Sequence, residues 1–216
     1  MRFHSSSRAV LATLCLVFLT SVAVSAQVLY DNGAINGETD AWPINFGFVV
    51  SDTFVISTGN STINGLSFNA WLFPGDLLES VEVDITSEPF GGTTYFDQQV
   101  SITQQSNCFD NEFGHLVCNE TASFNGPTLG NGTYFLNLKN AMSNTGDPVY
   151  WDENSGIGCT SPGCPSQAMD QGVGTIPSES FTLLGSSSGN GSVPEPSSLA
   201  LLATGAFGIA GILRRR

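Results

Sequence analysis

Seven runs rich in Val, Ile, Phe, Thr and Tyr follow one another through the body of this chain, each closed by Gly, Asn, Asp or Pro, with no long helical period between them. They are 48–57 (FVVSDTFVIS), 63–73 (INGLSFNAWLF), 80–86 (SVEVDIT), 94–103, 115–124, 132–138 (GTYFLNL) and 180–184. Branched and aromatic side chains fit the pleated, half-buried surface of a strand. Within 80–86, Val81, Val83 and Ile85 point one way and Glu82 and Asp84 the other, the two-residue period of an antiparallel strand with one dry face. The run GTYFLNL repeats that alternation. Short strands at regular spacing predict an all-β fold, an antiparallel β-sandwich of jelly-roll-like type over residues 27–184. Ferredoxin-like and α/β folds would need helices that these residues lack.

The two ends obey different rules. Arg2 and Arg8 form a positive start, residues 9–19 an apolar stretch, and Val24-Ser25-Ala26 a small-residue cleavage site, so residues 1–26 are expected to be a signal helix removed after Ala26, leaving Gln27 first. Cys15 lies inside the apolar stretch with Leu14 before it, which does not suit a lipoprotein acceptor. At the other end, residues 197–213 carry no charge and would span about 25 Å as a helix, enough to cross a membrane. Arg214, Arg215 and Arg216 follow as a stop-transfer cluster that belongs on the cytoplasmic side. The Gly/Ser stretch 185–192 (GSSSGNGS) between body and tail reads as a flexible tether.

Val193-Pro194-Glu195-Pro196, the apolar helix through Leu213 and the terminal arginines closely resemble the PEP-CTERM sorting signal, with residues 193–216 as its motif, single transmembrane helix and arginine cluster. That resemblance implies an exported protein that passes through the secretion machinery and signal peptidase. It is then held at the inner membrane until an exosortase, a polytopic membrane cysteine protease or transpeptidase, removes the tail. The implied destination is the cell surface or extracellular matrix of an outer-membrane bacterium, in association with exopolysaccharide. The segments WLFPGD, GTYFLNL and VYWDEN are similar to recurring phrases in the bodies of other PEP-CTERM proteins, which implies a shared β domain and carries over no functional residue.

Of six basic residues, only Lys139 falls between 27 and 193, against eighteen of the nineteen acids, a net charge near −17. Such a field repels nucleic acid and anionic lipid and excludes DNA or RNA as partners. It suits solvated surfaces, divalent cations and neutral glycans. Cys108, Cys118, Cys159 and Cys164 are four cysteines in an exported body and read as two disulfides. Three connectivities are open, and the short, turn-rich separations favour Cys108 with Cys118 and Cys159 with Cys164. A zinc site would need other spacings and more than one histidine in the body.

No His-Glu-x-x-His, Walker loop, strand-borne Gly-x-Gly-x-x-Gly or EF-hand loop is present. Residues 185–189 (GSSSG) match the Gly-x-Ser-x-Gly elbow formally, but a tether supplies neither the strand nor the helix that strains such a turn. His115 is the one histidine of the body and sits between two cysteines expected to be bonded, so a structural place is expected for it. The chain is therefore expected to be no enzyme and to need no cofactor. The stretch most like a site is 147–154 (DPVYWDEN). Tyr150 and Trp151 could stack a sugar, and Asp152 and Glu153, with Asn154, could grip it or ligate calcium. The competing expectation is a strand ending in an acidic turn with Trp151 in the core. Trp42 and Trp71 pose the same choice, with core packing favoured for Trp71. A secreted carbohydrate-binding module or carbohydrate-active enzyme, calcium-dependent or not, is the second functional expectation.

Overall fold

The computed structural model describes residues 26–154, 166 and 168–187. Thirteen strands and no helix occur among them: β1 (Gln27–Asp31), β2 (Ala41–Pro43), β3 (Val49–Ile56), β4 (Ser61–Leu72), β5 (Leu78–Glu88), β6 (Gly91–Asp110), β7 (Leu116–Ser123), β8 (Thr128–Leu129), β9 (Gly132–Ser143), β10 (Tyr150–Asp152), β11 (Ala168–Asp170), β12 (Gly174–Ile176) and β13 (Phe181–Ser187). The seven expected runs are β3, β4, β5, β6, β7, β9 and β13. The other six strands have two to five residues, too few for a two-residue period to register.

All strand pairings are antiparallel, and the strands join in one sheet ordered β1-β13-β4-β7-β6-β5-β9-β3-β11-β12, with β10 and β8 also on β4 and β2 on β10. The sheet is bent into a half-barrel. Strand β6 makes the bend: its first half pairs with β5 up to Ser101, and its second half pairs with β7 from Ile102 to Asp110. A twenty-residue strand serves both walls because its register shifts repeatedly, and such bulges bend a strand.

Between the walls lies the core. Val81, Val83 and Ile85 are fully buried, as their alternation requires, and meet Leu136 and Leu138 from β9 and Phe54 from β3. Trp151 stands edge to face against Phe68 and Phe181, with ring centroids at 6.4 and 5.6 Å. Tyr30 bridges β3 and β13 by touching both Phe54 and Phe181. Phe96 stacks on Phe124 at 4.9 Å. Burying such rings stabilises the fold by about 1.5–3 kcal/mol each.

Cys108 and Cys118 form a disulfide across β6 and β7, the pairing favoured by their separation. Cys159 and Cys164 lie outside the described residues, as do the expected signal segment 1–25 and everything from 188 onward, the sorting motif and arginine cluster included. One boundary is corrected. Gly185, Ser186 and Ser187, assigned above to the tether, belong to β13 and pair with Ile63, Thr62 and Ser61 of β4. A built-on Cβ at Gly185 would lie 2.0 Å from the Thr62 carbonyl oxygen, so glycine here permits close packing rather than flexibility.

Candidate functional site

The cavity with the most site-like construction lies beside the turn joining β2 to β3 and encloses about 470 Å³. That volume falls in the range of roughly 300–1,000 Å³ typical of small-molecule sites. Asn45, Phe46, Gly47 and Phe48 form a tight turn closed by Phe48 N–H to Asn45 O at 3.0 Å. Its central residues both have positive φ, 54° at Phe46 and 90° at Gly47, as a primed turn demands. Glycine adopts this freely, whereas a bulky aromatic does so under strain. The Phe46 ring is nonetheless 68 % exposed at the rim of the cavity.

The facing wall is a bulge in β9. Ser80 pairs with Met142 and Glu82 with Lys139, so Asn140 and Ala141 of β9 stand opposite the single residue Val81 of β5, and Asn140 takes φ 47° to absorb the extra residue. The bulge turns Ala141 N–H onto Ile44 O at 3.0 Å, which fixes the Phe46 turn against β9. The polar lining is tied in place. Asn140 Nδ2 donates to Glu82 Oε2 at 2.7 Å, and Gln99 Nε2 donates to Ser80 Oγ at 2.8 Å and Asn140 O at 3.2 Å. Asn45 Nδ2 donates to Asp147 O at 3.1 Å.

Lys139 lies behind this wall, 3.1 Å from Glu82, 3.4 Å from Asp84 and 3.7 Å from Asp97. The Asn140 amide, aided by Lys139 against a burial cost, holds Glu82 below the ordinary glutamate range. Burial raises Asp84 despite Lys139, and burial with a hydrogen bond shared with Glu82 raises Asp97. Burial works to lower Lys139, but its carboxylate partners outweigh that and hold it above its usual value.

A second polar cluster is closed off from solvent. Asp52 of β3 accepts from Thr53 N at 2.6 Å, Glu179 N at 2.7 Å, Asn32 Nδ2 at 3.0 Å, Ser178 Oγ at 3.1 Å and also Ser166 Oγ. Burial pushes Asp52 up to about 7 against these donors. Tyr30 is half-buried, and burial together with the charge of Asp52 pushes it up to about 12. Glu179 is fully buried, neither carboxyl oxygen has a hydrogen-bond partner among the described residues, and burial with the charges of Asp52, Glu153, Asp152 and Asp40 raises it well above the ordinary range. This cluster fastens β1, β3 and β13 together.

The 147–154 stretch resolves largely as core. Trp151 has no exposed surface and donates Nε1–H to Ser180 O at 3.0 Å, so it has no face for a sugar, correcting the stacking role considered for it. Asp152, also fully buried, accepts from Asn36 N and Gly37 N at 2.8 Å each and from Trp71 Nε1 at 2.5 Å. Ser180 Oγ adds a bond at 3.3 Å. A carboxylate ringed by N–H and O–H donors is turned away from cation binding, so it ties chain segments together where calcium ligation was considered. Burial pushes it up to about 6. Glu153 accepts from the half-buried Trp42 Nε1 at 3.2 Å and is raised by burial. Asn154 donates to Ser178 Oγ at 2.9 Å. Among the described residues no group of three His, Cys, Asp or Glu side chains is placed to hold a metal ion. Tyr150 meets His115 edge to face at 5.6 Å, and His115 also contacts Trp71 and Phe73, an aromatic cluster on the loop between β6 and β7. Trp71 is buried, as favoured.

Of the stretch singled out in sequence, only Asp147 reaches the cavity. Phe46, Gln99 and Asn140 were missed. The available signal was Asn45-Phe46-Gly47, an aromatic at a turn position where polar residues are usual.

Among the described residues the body is an all-β antiparallel half-barrel with a cleft beside the Phe46 turn. Residues 192–216 match the PEP-CTERM protein-sorting motif, so the chain is a PEP-CTERM domain-containing protein. The motif implies exosortase-targeted sorting of an exported protein through a membrane-anchored precursor. No curated protein matches the chain.

Proposed function

We propose that this chain is the precursor of a non-enzymatic protein of the cell surface or extracellular matrix, associated there with exopolysaccharide, whose β body is the delivered cargo. In this reading signal peptidase cuts after Ala26, the apolar helix before Arg214 holds the precursor in the inner membrane, and exosortase cuts at the Val193-Pro194-Glu195-Pro196 region. The sorting motif at 192–216 carries the proposal. Two features support it: β1 begins at Gln27, directly after the expected cleavage point, and the Cys108–Cys118 bond suits an oxidising compartment. The half-barrel belongs, in this reading, with jelly-roll-like sandwiches, and no cofactor is required.

Replacing Pro194, Glu195 and Pro196 together by alanine tests it in the native host. Export should persist while the tail stays attached, seen as a heavier, membrane-bound species by mass spectrometry. Normal trimming of that variant would defeat the proposal. A carbohydrate-binding module is the second reading, and the cavity beside Phe46 favours it over a carbohydrate-active enzyme.

A further inference from the structure

We propose that the cavity between the Phe46 turn and the β9 bulge is a binding site for an uncharged saccharide, stacked on the Phe46 ring and held by acceptors from Gln99, Asn140, Glu82 and Asp147. This deepens the surface-protein reading by naming what the body holds, and it rests on that reading only for the setting in which the sugar is met.

Three observations carry it. First, Phe46 keeps a strained left-handed backbone and a mostly exposed ring at a turn where glycine or asparagine would cost less, and strain of this kind collects where a side chain must be displayed. An exposed aromatic face beside a polar cleft suits the C–H face of a pyranose ring, and the exposed Met142 extends the apolar rim. Second, Asn140 on the opposite wall is also at positive φ, in a bulge that aims its side chain at Glu82. The two walls are bonded to each other through Ala141 and Ile44, so the cleft is formed before any ligand arrives.

Third, the lining is rich in acceptors. Gln99 and Asn140 use their amide nitrogens within the protein, which leaves both side-chain carbonyl oxygens to accept. Glu82 is held ionised, and Asp147 adds a carboxylate. Sugar hydroxyls are donors that match such a wall. Uronates, sulfates and phosphates are anionic, and the nearest cation, Lys139, is already shared among Glu82, Asp84 and Asp97, so charged glycans meet repulsion.

The test uses the full-length chain purified in detergent, probed on an array of neutral, uronate-containing and sulfated oligosaccharides and followed by calorimetry with any neutral hit. Saturable binding to neutral glycans is expected, with uronate and sulfated glycans at background. Phe46→Gly removes the ring and the strain together, so it should melt at a higher temperature while affinity falls about tenfold or more, a factor of ten being about 1.4 kcal/mol. Phe46→Tyr should retain binding, and Gln99→Ala should weaken it with melting unchanged. Absence of neutral-glycan binding, equal binding of anionic glycans, or wild-type affinity in Phe46→Gly would each overturn the assignment. These readouts are separate from tail removal: an uncut tail fails the sorting proposal alone, and lost glycan binding with normal trimming fails this one alone.

Discussion

Around Lys139, Glu82, Asp84 and Asp97 share one ammonium at 3.1–3.7 Å and partial contact with water. Around Asp52 and Asp152, carboxylates of the same chemistry are closed into the interior, and no ion pair among the described residues reaches them. Each solution has its own signature. Where a cation and the Asn140 amide are at hand, Glu82 stays ionised. Asp84 and Asp97, which lack that amide, are raised by burial even beside Lys139, and where neither partner is at hand the charge is managed with protons and with hydrogen-bond donors drawn from distant parts of the chain. An acidic body with one lysine can neutralise a single cluster electrostatically. It must handle the others by desolvation, and that makes its stability a function of pH.

The largest expected consequence is that pH dependence. The unfolded chain releases the Asp52 proton near 3.8, whereas the folded chain holds it to about 7, and burial likewise holds those of Asp152 and of Glu120, an enclosed carboxyl of β7, to about 6 and about 8. The folded state therefore binds more protons between these limits, and stability falls as pH rises through them. Asp52 alone accounts for about 4 kcal/mol at about 1.4 kcal/mol per unit. Urea unfolding at pH 5 and pH 8 should show the protein markedly more stable at pH 5, and equal midpoints would break the contrast.

Next in size, Asp152→Asn turns one carboxylate oxygen into an NH2, so either Asn36 N, which bonds Oδ2, or Gly37 N and Trp71 Nε1, which bond Oδ1, lose their acceptor. A loss of about 3 kcal/mol is expected, because buried donors are left unpaired. Chemical denaturation at pH 7 measures it. Glu179→Gln should act in the opposite direction. Its carboxyl has no partner to lose among the described residues, so an amide that needs no proton should raise the melting temperature at pH 8, and raise it less at pH 5. Melting the two variants side by side separates acids that serve as acceptors from acids that are merely enclosed. The smallest effect is at this cluster: Lys139→Met should cost about 1 kcal/mol, and the cost should shrink in high salt because the pairs keep partial contact with water. A salt-independent loss would show that the Lys139 cluster behaves like the buried one.

Much of the fold could be read from side-chain order alone. Val81, Val83 and Ile85 alternate with Glu82 and Asp84, and that local pattern suffices because a strand's two faces are set by the backbone itself. β10 could not be read this way. Its three residues are too few to show a period, and Trp151 looks the same in sequence whether it stacks on a sugar or on Phe68 and Phe181. The cavity was hidden for a related reason. Phe46, Gln99 and Asn140 come from a turn, β6 and a bulge in β9, and they meet only because β6 and β9 both pair with β5 and Ala141 bonds Ile44 beside the turn.

By itself, then, the sequence determined the β architecture, the acidic character of the body and the sorting address at 192–216, since periodicity, charge and a contiguous recognition motif are written residue by residue. The tertiary structure decided which carboxylates keep their charge, that Asp152 binds the chain to itself, and that the Phe46 ring stands exposed over a cleft. Those outcomes depend on desolvation and on donors supplied from more than a hundred residues away, as when Asn36 and Gly37 close on Asp152, and no local stretch of chain encodes them.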